Sequence, residues 1–280
     1  MKLQYAIQKA NKILREKAIL SPSLDSELLM SKVINKERKF VILNLDKQIN
    51  KKDYLYFKKL IFERAKGKPL AYLTGKKSFW NYEFEINENV LIPRPDTEII
   101  IEEVLKIYKN KDNLNFLEIG VGSGCILLSI LKEKKHFKAY GIDISLECLK
   151  ASKTNANKLN VENRVKFFKS DIDNFNNGKY DLIISNPPYI KKLDLKYLEK
   201  DISNFEPKLA LEGGLDGLSE IRKVIAKASE LIKINGKLIL EIAFNQKEEV
   251  KKILRDKGFY VNKVVKDLSK FDRCIISTKI

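Results

Sequence analysis

Histidine is almost missing from this chain: His136 is the only one in 280 residues, set in the lysine-rich run Lys132–Lys138 and expected to be exposed. Ser/His/Asp and Cys/His nucleophile schemes therefore lack a base. Cysteine is scarce as well. Cys125, Cys148 and Cys274 are an odd, scattered three without metal-ligand spacing, and no metal site is expected. No apolar run reaches the roughly 18 residues of a membrane span. Met1–Tyr5 lacks the apolar core of a signal peptide, so the expected location is the cytoplasm. Arginine is outnumbered by lysine, 8 to 46, and the lysines behind the net charge of +17 are spread almost evenly. That pattern argues for a compositional habit over a base-reading surface. The first 90 residues hold 19 basic and 10 acidic side chains, so a phosphate-binding face, if there is one, lies in that third and implies proximity to RNA. No G-x-x-x-x-G-K-[ST] loop for nucleoside triphosphates occurs.

What is present falls into two styles of patterning. Residues 1–75 read as a small helical bundle. Leu3, Ile7, Ala10, Ile13 and Leu14 mark one helix, and Ser21-Pro22 reads as an N-cap with proline at the first helical position. Phe40–Leu45 suggests a short helix, and Tyr54, Phe57, Leu60, Ile61 and Arg64 a longer one ended by Gly67. Their apolar stripes predict a core, and no polar catalytic cluster stands among them. From Lys76 the period shifts toward two: Phe79, Tyr82, Phe84 and Ile86 predict a hairpin, taken as a linker over 76–90. Pro93-Arg94-Pro95 is then a rigid extended segment, with Asp96 or Thr97 expected to cap the next helix. A capped helix start does not explain an arginine held between two prolines.

The rest, 91–280, alternates strands with helices. Asn115–Ile119 reads as a strand, followed at once by Gly120-Val121-Gly122-Ser123-Gly124 and a helix from Ile126. Glycines there let the backbone approach a ligand, and the helix start offers N–H donors. Ala139–Ile142 ends in Asp143, placed to accept hydrogen bonds from ribose hydroxyls. Val165–Phe168 runs to Asp171-Ile172, where an adenine ring can lie against an apolar wall. The apolar run Leu182–Ile184 delivers Asn186-Pro187-Pro188-Tyr189, a stiff corner carrying an amide, bare carbonyls and an aromatic ring. An amide oxygen beside a proline carbonyl can accept both hydrogens of an NH₂ group. Gly213-Gly214-Leu215-Asp216-Gly217 reads as a long turn before a helix over Leu218–Ile232. Strands over Lys237–Ala243, Phe259–Val265 and Arg273–Lys279 bring the total to about seven. Ligands of open α/β sheets bind at the carboxyl ends of strands, so the four features converge.

Together these features resemble the class I S-adenosylmethionine-dependent methyltransferases, with a Rossmann-like sheet of about seven strands. The resemblance narrows on Gly67–Gly75, Leu91–Glu98, Ser185–Ile190, Phe205-Glu-Pro207, Gly213–Gly217 and Asp267–Arg273, which occur in the order seen in the HemK/PrmC family. It covers essentially the whole chain. The resemblance implies an enzyme that methylates the glutamine amide of the Gly-Gly-Gln motif in class I peptide chain release factors, leaving S-adenosylhomocysteine. It implies that Gly120–Gly124, Asp143, Ile172 and Asn186 line the cofactor site. It also implies that Asn186, Pro187, Pro188 and Tyr189 hold the glutamine, with the tyrosine ring on the amide plane, and that the bundle docks the release factor. Ile172 departs from the family, which often has an aromatic residue there, and predicts weaker stacking. The competing readings are methylation of a ribosomal-protein glutamine, methylation of an amino group in DNA or RNA, and a non-catalytic ribosome-associated scaffold. Extracting a base needs a recognition element, and no interleaved basic–aromatic segment is present.

Overall fold

A computed structural model describes residues 1–280, and the chain divides into two compact units. The first holds Met1–Lys76 together with Glu199–Phe205, and the second holds the remainder.

Five helices make up the beginning of the first unit: α1 (Leu3–Glu16), α2 (Pro22–Ile34), α3 (Arg38–Leu43), α4 (Lys51–Ala65) and α5 (Leu70–Thr74). Leu3, Ala6, Ile7, Ala10 and Leu14 recur at helical spacing and are buried, so α1 presents one apolar stripe to Leu29, Met30, Phe57 and Ile61. Asn50 caps α4 by accepting from the Asp53 N–H at 2.8 Å. Ser21 does not cap α2 as expected. Its hydroxyl donates to Asp25 at 2.7 Å, and the buried Asp25 carboxylate also takes Arg64 at 2.7 Å. Arg64 reaches Asp201 at 3.1 Å as well, and this tie brings Glu199–Phe205 into the first unit. The sequence reading leaves that stretch in the second domain, because no pattern within seven residues announces a partner more than 130 positions away.

The second unit opens one residue into the hairpin of β1 (Lys76–Phe79) and β2 (Tyr82–Glu85), and α6 (Glu98–Ile107) comes next. The α/β succession follows: β3 (Asn115–Ile119), α7 (Cys125–Glu133), β4 (Lys138–Asp143), α8 (Leu146–Lys158), β5 (Val165–Lys169) and β6 (Tyr180–Ser185). After α9 (Lys200–Phe205), which belongs to the first unit, come α10 (Ser219–Leu231), β7 (Ile232–Glu241), α11 (Lys247–Asp256), β8 (Phe259–Lys266) and β9 (Asp272–Lys279). Seven strands form one sheet in the order β5-β4-β3-β6-β7-β9-β8, parallel except for β9. Because side chains alternate along a strand, the sheet feeds two cores. Phe116, Leu182, Ile184, Ile239 and Ile276 point to one, and Leu117, Ile183, Leu238, Leu240 and Ile275 to the other.

The hairpin is more than a linker. Phe79 and Phe84 are fully buried in the first of these cores, edge to face at 6.2 Å, and the Asn155 side chain bonds both the N–H and the carbonyl of Glu85. β7 is also longer than its sequence suggests. The strand expected from Lys237 begins already at Ile232: Ile232 pairs with Tyr180 and Lys237 with Leu182, and the register shift between them absorbs the extra residues. No helix is long and apolar enough to cross a membrane.

Candidate active site

The carboxyl ends of β3, β4, β5 and β6 surround a cleft of about 450 Å³ that lies wholly within the second unit. Its floor is the turn after β3. Gly120 and Gly122 have φ of +76° and +53°, a region costly for other residues, and a Cβ at either would meet no atom within 4 Å. The floor is therefore bare backbone with open space above it. Gly124, at φ +79°, serves a different purpose. It is absent from the cleft lining, and a Cβ there would press on Leu128 at 2.9 Å, so it permits the close start of α7.

Asp143, at the end of β4, braces this turn. One carboxylate oxygen accepts the Gly122 N–H at 2.9 Å, and the other accepts the Ser145 N–H at 2.9 Å. Burial raises its pKa, opposed by those two backbone donors. Each oxygen keeps a lone pair for a further donor. Ser152 accepts the same duty from the other side, donating to the Gly122 carbonyl at 2.8 Å, and Asn155 donates to the Ser123 carbonyl at 2.9 Å. Ile144 and Ile172 supply apolar walls. Glu118, buried on β3, accepts the Leu127 N–H at 3.0 Å, and its burial pushes its pKa well up.

Of the residues expected to form the site, Gly120, Val121, Gly122, Ser123, Asp143, Ile172, Asn186, Pro187 and Pro188 line the cleft. Tyr189 does not. Its ring packs against the core beneath α10, and its hydroxyl donates to Glu241 at 3.2 Å, so the open ring face expected from sequence is turned inward. The corner itself is held from behind. Gln246 donates to the carbonyls of Tyr189 at 3.2 Å and Gly217 at 2.9 Å, and Ile190 pairs with Glu212. The Gly213–Gly217 stretch is thus the bed on which the corner rests. A Cβ at Gly213 would lie 2.8 Å from the Pro188 carbonyl and from the Tyr189 Cα. Gly213→Ala is expected to lower stability by about 1–3 kcal/mol, read in thermal unfolding as a drop of about 2–4 °C per kcal/mol.

Three residues that sequence reasoning passed over complete the surroundings. Thr97 and Asp96 do not cap α6; a short 3₁₀ turn, Pro95–Thr97, precedes it, and the Thr97 hydroxyl instead accepts the Asn186 Nδ2–H at 3.3 Å. Glu241 at the end of β7 receives Tyr189. Glu206 answers the question posed by Arg94. Arg94 donates to its buried carboxylate at 2.6 Å and to the Ile92 carbonyl at 2.9 Å, and Glu206 also accepts the Ile92 N–H at 3.4 Å. Arg94→Ala strands a buried carboxylate. Breaking a buried pair costs about 3–5 kcal/mol, and the partial exposure of Arg94 puts this one near the lower end. Urea denaturation of the variant against the parent checks it.

Residues 5–75 match the model of the PrmC N-terminal domain and residues 110–276 that of a methyltransferase domain. The release factor glutamine methyltransferase of Clostridium acetobutylicum is 34% identical, with 100% of this chain aligned to 99% of that one. That of Caulobacter vibrioides is 33% identical over 95% of this chain and 92% of that one. The chain belongs to the release factor glutamine methyltransferase family. It is also 36% identical to the bifunctional methyltransferase of Rickettsia conorii over 99% of its length, and there it spans only 57% of the relative. Among solved structures, a methyltransferase from Pyrococcus furiosus superposes with a TM-score of 0.54 at 20% identity, covering 72% of this chain and 91% of that one. That likeness carries the fold alone.

Proposed function

We propose that the cleft takes S-adenosyl-L-methionine and that the Asn186 corner presents to it a glutamine side-chain amide of a class I peptide chain release factor, which is methylated on nitrogen. The observation that carries the reading is the state of the Asn186 amide. Its NH₂ end is engaged by Thr97, which leaves the oxygen as the acceptor, at the end of the strand next to the glycine turn. The cleft suits the cofactor: bare backbone at Gly120 and Gly122 gives room for close approach, Asp143 keeps lone pairs for a ribose diol, and Ile144 and Ile172 flank a planar base. When bound, the cofactor supplies an electrophilic methyl group.

The chain's own contribution follows from the chemistry of an amide. Its nitrogen lone pair is delocalised, so the nitrogen is a poor nucleophile and needs placement more than deprotonation. The Asn186 oxygen and the Pro187 carbonyl accept the two N–H groups, fix the direction of the nitrogen and stabilise the positive charge that grows there during transfer. The proton becomes acidic only once the new C–N bond has formed. The first unit is assigned to docking: α4 exposes Leu55, Tyr56 and Phe62 among lysines. Incubation with labelled S-adenosylmethionine and release factor, ribosomal protein or nucleic acid in separate reactions tests the reading. Label on the release factor glutamine supports it, and label only in nucleic acid overturns it.

A further inference from the structure

We infer that Thr97 and Glu241 are positioning residues that decide which end of the Asn186 amide faces the substrate nitrogen. The inference rests on the function proposed above, in which that nitrogen arrives as an NH₂ group. The two ends of an asparagine amide are nearly alike in shape and opposite in hydrogen bonding. With the oxygen presented, the substrate NH₂ is gripped. With the NH₂ presented, donor meets donor and the substrate is turned away.

The choice is made by a chain of groups behind the corner. Asn186 Nδ2 lies 3.3 Å from the Thr97 oxygen, and Thr97 is itself 3% exposed. A hydroxyl donates one proton. The Glu241 carboxylate lies near enough for the Thr97 hydroxyl to favour its ionised form, without a direct hydrogen bond between them. An ionised carboxylate attracts the hydroxyl proton, so the Thr97 O–H turns toward Glu241 and the Thr97 oxygen is left to accept from Asn186. Only the NH₂ end satisfies it. Glu241 is in turn held by the Tyr189 hydroxyl at 3.2 Å, on one oxygen, while the other has no direct partner. This accounts for the inward turn of Tyr189.

Glu241 is not there as half of an ion pair. It is 2% exposed, and the nearby Arg273 is bound to Asp267 at 2.9 Å. Burying a carboxylate without a cation of its own is costly, so its place at the end of β7 calls for a task. The charged and titratable groups around it are Asp96 beside Thr97, Tyr189 on the corner, Arg273 and Cys274 on β9, and Cys125 at the start of α7. Burial raises its pKa to about 7, with Asp96 acting in the same sense and Thr97, Arg273 and Tyr189 against it. Below that pH the carboxyl becomes a donor as well, the Thr97 proton is free to turn toward Asn186, and the amide loses its fixed end. The rate therefore rises with pH through about 7. Stability moves the other way. A carboxyl whose folded pKa exceeds its unfolded one stabilises the fold at low pH and loses that contribution as pH climbs to about 7.

Steady-state methylation of release factor, with cofactor affinity and thermal unfolding measured in parallel, tests this for the full chain and for Thr97→Val, Thr97→Ser and Glu241→Gln. Thr97→Val is expected to lower kcat about tenfold or more with cofactor Kd and Tm little changed, and Thr97→Ser, which restores the hydroxyl, to recover most of the rate. The parent shows the rise through pH 7 and Glu241→Gln a flat profile. Thr97→Val with the parent's kcat, or Glu241→Gln with the parent's pH profile, overturns the inference; the second criterion stands even if Thr97→Val does not fold. A parent enzyme that labels no release factor under any condition overturns the functional reading instead, and this inference with it.

Discussion

Asn186→Ala lowers methyl transfer by about 10²–10³-fold, by analogy with removing one donor from an oxyanion hole, and leaves S-adenosylmethionine binding nearly intact. The asymmetry follows from where the residue stands. The cofactor's expected contacts are the glycine turn and Asp143, held by their own bonds to Ser145, Ser152 and Asn155. Asn186 lies one strand away, with its oxygen free. Removing it takes away an acceptor that counts most as charge develops on the nitrogen, so kcat falls more than KM rises. Single-turnover kinetics with saturating release factor, beside calorimetric titration of the cofactor, separates the two. Loss of cofactor affinity equal to the loss of rate would place Asn186 in the cofactor site alone.

Asp143→Ala produces the opposite pattern, a loss of cofactor affinity. A hydrogen bond to a charged group contributes about 1.5–3 kcal/mol, so losing the acceptor for a ribose diol weakens binding by at least about tenfold, and by about a hundredfold or more when both hydroxyls are counted. A second effect adds to it. Asp143 accepts the Gly122 and Ser145 N–H groups, and without it both are left without a partner in a half-buried turn. The variant therefore binds S-adenosylhomocysteine weakly as well. Calorimetry with both ligands reads this, and unchanged affinity for either removes Asp143 from the cofactor site.

How much of this was legible in the sequence depended on whether the parts are contiguous. The glycine turn, Asp143 and the Asn186 corner each follow a short apolar strand, and a parallel sheet brings such strand ends to one edge whatever their distance along the chain. The supports were not legible. Thr97 reads as a helix cap because Pro-Asp-Thr-Glu is a cap pattern, and only the tertiary fold sets it against a residue 89 positions away. Glu241 is the one acidic residue within the strand read over Lys237–Ala243; nothing local tells a buried carboxylate from an exposed one. The anchoring of Tyr189 is hidden for the same reason: its hydroxyl partner comes from β7. Asn235-Gly236 carries the local chemistry of a turn, and the bulge that keeps it in β7 is imposed by the neighbouring β6. An arginine between two prolines stands unexplained in the sequence, and nothing around Glu206 shows locally that the two meet.

In the function proposed above, the corner accepts a glutamine amide through Asn186. This is tested most directly by mass spectrometry of a class I release factor after incubation with the full chain and S-adenosylmethionine. The expected result is one added methyl group on the side-chain nitrogen of the Gly-Gly-Gln glutamine, abolished in parallel by Asn186→Ala. Methylation at any other residue, or at that glutamine with Asn186→Ala as fast as the parent, contradicts the account.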